Sequence, residues 1–74
     1  MNDYIINVSR VEELQMISNT DELDRMFQKA KSAIVNGEKV ILVRADTQGN
    51  QQAFDEFSTL DDLDEFRNRV FKYL

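Results

Sequence analysis

Between the chain's two glycines, Gly37 and Gly49, lies an unbroken apolar run, Val40-Ile41-Leu42-Val43. A strand sends successive side chains to opposite faces. This run is therefore apolar on both faces, which is the pattern of a strand in the middle of a sheet. The strand is predicted over 39–45, and a central strand needs a neighbour on each side. The β-branched segment Tyr4-Ile5-Ile6-Asn7-Val8 reads as one. Residues 52–57 read as the other, returning after a hairpin loop of Thr47–Gln52 in which Gly49 takes positive φ. The charges of Asp55 and Glu56 suit an edge position for that strand.

Two amphipathic helices supply the cover. Leu23, Met26, Phe27, Ala30, Ala33 and Ile34 follow helical spacing and predict a helix over 20–36. Ser18, Asn19 and Thr20 are all suitable N-caps, and Asn19 with Glu22 has the spacing of a capping box. Asp21 and Arg25 are placed as an i,i+4 pair, and Asn36-Gly37 ends the helix. Leu60, Leu63, Phe66, Val70, Phe71 and Leu74 form a second stripe near the end of the sequence, with Thr59 as the N-cap.

Residues 9–17 fit two patterns. Leu14 and Met16 continue the alternation of Tyr4, Ile6 and Val8. An unbroken strand from 4 to 17 would be about 46 Å long, in a domain with a radius of gyration of about 11 Å. The chain must therefore bend or change type near Ser9 and Arg10. Ser9 with Glu12 also matches a capping box opening a short helix. The alternation favours a second strand at 12–17.

The expected fold is α+β over a single domain, 1–74. It is a small two-layer sandwich with a mixed or antiparallel sheet of three to four strands and two helices on one face, in the order β(β)αββα. The strands flanking helix 20–36 are parallel if they pair directly. One alternate pair of the central strand, Val40/Leu42 or Ile41/Val43, then faces away from the helices. Ile5 can join it in an apolar patch that meets a second copy or a partner. Were 10–17 helical, the order would be that of a KH module. Where KH domains clamp nucleic acid with a GXXG loop, however, this chain has Ser18-Asn19-Thr20-Asp21, so no family resemblance follows.

The composition removes several chemistries. There is no histidine and no cysteine. The commonest general base, the thiolate nucleophile and the usual zinc and copper ligands are thus missing. Neither Gly-rich phosphate-binding motif is present, and no serine sits in a motif with a lysine base. The expectation is a chain that is not an enzyme and holds no cofactor or metal. A formal charge of −5 sets the surrounding field against nucleic-acid phosphates. Lys29, Lys31, Lys39 and Arg44 are scattered among acids. No run of about 18 apolar residues offers a membrane span. The opening residues, with Asp3 and no basic stretch, do not read as a secretory signal, so the expected location is the cytoplasm.

One stretch stands out for charge. Asp55, Glu56, Asp61, Asp62, Asp64 and Glu65 fall within eleven residues. On a helical wheel Asp61 and Glu65 lie nearly opposite the apolar stripe, with Asp62 and Asp64 flanking them, so the four do not converge on one ion. Acids in the first turn and Arg67, Arg69 and Lys72 near the end match the helix dipole, and Glu65 to Arg69 is a favourable i,i+4 pair. These acids also form a patch that can dock a basic protein surface. The sequence therefore points to a small acidic protein-binding module: an adaptor, inhibitor or accessory subunit. It would dock through the acidic helix start, through the apolar sheet face that includes Ile41 and Val43, or through both, and homodimerisation is one form this takes. The alternative is a KH-like nucleic-acid-binding module using a local basic face.

Overall fold

A computed structural model describes residues 3–74. The order is β-α-α-β-β-α: β1 Tyr4–Asn7, α1 Val8–Met16, α2 Thr20–Val35, β2 Val40–Ala45, β3 Gln51–Phe57 and α3 Leu60–Lys72. The three strands form a mixed sheet in the order β1-β2-β3, so the apolar run of β2 is the central strand. β1 runs parallel to β2, with Ile5 opposite Ile41 and Ile6 opposite Leu42. β3 returns antiparallel, with Phe57 opposite Val40 and Glu56 opposite Ile41. A bulge interrupts this ladder: Leu42 pairs with Asp55 and Val43 with Ala53, which leaves Phe54 without a partner on β2.

The strand predicted at 12–17 is a helix. The Asn7 side chain caps it by accepting the Ser9 N–H at 3.0 Å, so the helix starts ahead of the Ser9–Glu12 pattern. Val11 and Leu14, three apart, are buried, as one helical face requires, whereas Met16 is 85 % exposed. The alternation through Leu14 and Met16 therefore describes no common face. Three helices pack where two were expected.

The turn joining α1 to α2 is short because Asn19 serves both helices. Its N–H donates to Leu14 O at 2.9 Å, closing α1, while its Oδ1 accepts the Glu22 N–H at 3.2 Å, opening α2. Ser18 donates to Gln15 O and takes a φ of +52°. That is the position in a Schellman end where glycine is usual. The same pair of bonds closes α2, where Gly37 (φ +84°) donates to Ile34 O and Glu38 to Ala33 O.

A single core joins the elements. Ile6, Val40, Leu42 and Phe57 from the sheet pack with Val11, Leu14, Leu23, Phe27, Leu63 and Val70 from the helices. Val40 and Leu42 therefore face this core, and the alternate positions, Ile5 and Ile41, lie on the other face of the sheet. Phe66 stands at the centre of an aromatic group, with ring centroids 5.8 Å from Phe27 and 5.4 Å from Phe57. Arg67 ties α3 to α2 by reaching Asp24 at 3.2 Å while its guanidinium lies over the Phe71 ring at 4.4 Å. Phe54 and Tyr73 are 57 % and 73 % exposed, apart from this aromatic group.

Candidate functional site

The six acids singled out by the sequence divide between two elements. Asp55 and Glu56 are exposed on the edge strand β3, and Asp61, Asp62, Asp64 and Glu65 are exposed on the first half of α3. Thr59 caps that helix through Oγ1, which accepts the Asp62 N–H at 3.2 Å. Of the six, Glu56 alone is in an ion pair among the described residues, with Lys39 Nζ at 3.8 Å. Asp55 Oδ1 accepts the Glu56 N–H at 2.9 Å. Among the described residues no three acidic side chains are grouped to hold a metal ion.

Two helix pairs form differently from the expected spacing. Arg25 bonds Glu22 at 2.7 Å rather than Asp21, using the i,i+3 neighbour. Glu65 makes no pair with Arg69, and Arg69 has no ion pair among the described residues.

The apolar sheet residues are not equally available. Ile5 is 56 % exposed and Ile41 is half-buried, but Val43 is only 6 % exposed and presents little surface to a partner. A shallow depression of about 410 Å³ is lined by Ile41, Ala53, Phe54, Asp55 and Glu56. It brings one of the predicted apolar residues together with two of the predicted acids. The bulge falls at this depression, with the unpaired Phe54 between Ala53 and Asp55. Asp61, Asp62, Asp64 and Glu65 do not line it.

A second concavity was not legible in the sequence. A groove of about 310 Å³ runs between α1 and α3. Val8 and Val11 form one wall, Phe66 and Val70 the other, and Leu42 the floor. Gln15 Nε2 donates to Val70 O at 3.0 Å and bridges the two helices. Arg44 and Glu12 form an ion pair of 2.9 Å, and Arg69, Phe54, Asp55 and Tyr73 also line the groove, so Phe54 and Asp55 border both concavities. Reading 12–17 as a strand removed one wall of this groove. Asn7 as an N-cap is a local signal for this helix, but Val11 and Leu14 alone are too few to set its period.

No helix in the described residues is long and apolar enough to cross a membrane. Comparison with protein-family models, with curated proteins and with solved structures finds no match.

Proposed function

We propose that this chain is a non-catalytic protein-binding module, and that it docks a basic protein surface at the free side of its sheet. In this reading the helices form one layer and the sheet the other, with the outer sheet face left for a partner. The observation that carries it is the depression at the bulge. Ile41, Ala53 and Phe54 offer apolar contact beside Glu56, which lies across the ladder from Ile41, with Asp55 on the same edge strand. An apolar centre with a charged margin is the usual anatomy of a protein interface. Asp61, Asp62, Asp64 and Glu65 extend the negative field beyond this contact and speed the approach of a basic partner without needing to touch it. A second copy of this chain would meet the same acids on its partner, so a different protein fits this face better.

The test is affinity capture from the source organism with the wild-type chain and with D55K/E56K as baits, read by quantitative mass spectrometry. The expected result is a partner with a basic surface that is enriched on the wild type and lost on the variant. Equal recovery on both baits would refute docking at this face. The rival reading, a KH-like nucleic-acid module, gains support from the helical 8–16 segment, which produces that element order. It predicts nucleic-acid affinity that falls steeply with salt and is lost on changing Lys29, Lys31 or Arg44. Against it, the α1–α2 turn has no glycine, and Arg44 is already paired with Glu12.

A further inference from the structure

We propose that Asn36 is a site of spontaneous modification, deamidation through its bond to Gly37, and that the closed end of α2 holds the reaction back. Asn36 is the only asparagine in the sequence followed by glycine. The step is intramolecular. The Gly37 backbone nitrogen, having given its proton to hydroxide, attacks the carbonyl carbon of the Asn36 side chain. A nitrogen–carbon bond forms, and the bond to the side-chain nitrogen breaks. That nitrogen takes a proton from water and leaves as ammonia, and a cyclic succinimide remains. Water then opens the ring at either carbonyl and leaves aspartate or isoaspartate. No oxidant or reductant is needed. Glycine favours the attack because it has no Cβ to crowd its nitrogen.

Asn36 and Gly37 are both exposed, so water and hydroxide reach them. The amide oxygens of Asn7 and Asn19 accept the Ser9 and Glu22 N–H groups. The Asn36 side chain enters no hydrogen bond among the described residues. What restrains the reaction is the backbone. Asn36 has a ψ of 7°, so the Gly37 nitrogen nearly eclipses the Asn36 nitrogen and stands away from the Asn36 side chain. The ring closes only after ψ turns. That turn pulls the Gly37 N–H off Ile34 O, at 3.0 Å, and disturbs the next bond, from the Glu38 N–H to Ala33 O at 2.9 Å. Both bonds belong to the C-terminal cap of α2. The reactive conformation therefore exists only while this end is open, and the rate follows the open fraction. The product closes less well. It sets a carboxylate at the negative end of the helix dipole, and isoaspartate adds a methylene to the backbone inside the cap.

The test ages the whole chain at mildly alkaline pH, folded in buffer and unfolded in guanidinium chloride, and reads amide-to-acid conversion by peptide mass spectrometry. In guanidinium, Asn36 is expected to convert ahead of every other asparagine, and G37A to slow it. In buffer the wild type is expected to react about tenfold more slowly, the factor for a local opening of about 1.4 kcal/mol. E38P removes the second cap bond and leaves Asn36-Gly37 intact, so it should speed conversion in buffer and not in guanidinium. If E38P does not fold, hydrogen exchange at the Gly37 amide of the wild type replaces it: protection supports the gate and its absence overturns it. Equal rates in the folded and unfolded chain, or a folded E38P that reacts as slowly as the wild type, would overturn the gate. Earlier conversion at another asparagine, or none at Asn36 in guanidinium, would overturn the site.

Discussion

Ser18 occupies the left-handed region, at φ +52°, with its N–H committed to Gln15 O. A side chain in that conformation costs about 1 kcal/mol, and glycine avoids this while giving up more freedom on folding. Ser18→Gly is expected to stabilise the chain by about 0.5 kcal/mol, read as a rise in the urea midpoint with an unchanged slope. A fall in the midpoint would mean that the turn is not built as described. Tyr4 gives a second test at this scale. Burial disfavours its phenolate and raises its pKa above the ordinary value of 10.0. The unfolded chain loses this proton first, so the phenol's contribution to stability is intact below pH 10 and is lost as the pH rises through the raised value. In a Tyr73→Phe variant, tyrosinate absorbance is expected to reach its midpoint above pH 10, and denaturation midpoints should fall over the same range. At this scale much was legible. Asn19, Thr59, Gly37 and Gly49 all stand where their side-chain or backbone chemistry placed them. The ion pairs were less so, because an exposed carboxylate has several neighbours within reach and spacing alone does not choose between Asp21 and Glu22 for Arg25.

At the scale of elements, α2, β2 and α3 were readable because each has a long periodic pattern and its own caps. α1 was not, because its nine residues bury only Val11 and Leu14. Two apolar positions cannot establish a period, and Met16 happened to fall in step with a strand. The helix assignment makes a sharp prediction. Leu14 is buried at 1 % exposure and Met16 is exposed at 85 %, whereas one strand face would have buried both. Leu14→Ala is expected to cost about 3 kcal/mol, and Met16→Ala less than about 0.5 kcal/mol, both from chemical denaturation. Comparable losses at the two positions would restore the strand. The bulge at Leu42/Val43 was also beyond reach of the sequence, since no glycine marks it. In the proposed reading it matters because the residue it leaves unpaired, Phe54, borders the depression.

Across the molecule, one feature of composition and one of topology work together. The central strand is apolar on both faces, and the helices cover the side of Val40 and Leu42. What lies on the opposite side is a face with Ile5 and Ile41 available and Glu56 across the ladder from Ile41. The α+β class and the central place of β2 followed from the pattern of apolar residues, which left the sheet mixed or antiparallel until the parallel β1–β2 pairing decided it. The convergence of apolar and acidic groups at one depression did not, because it depends on which residue the bulge leaves unpaired. In the proposed reading the dispersed acids of α3 steer a partner without touching it, and charge reversal there should slow association while changing dissociation little.

The claim that partners dock at this depression is tested most directly by site-specific photocrosslinking in source cells. A photoreactive phenylalanine analogue replaces Phe54, which borders the depression and the neighbouring groove, or Met16, which is exposed but lines neither. The account predicts a discrete adduct with a basic-surfaced protein from position 54 and none from position 16. The same adducts from both positions, or an adduct from position 16 alone, would contradict it.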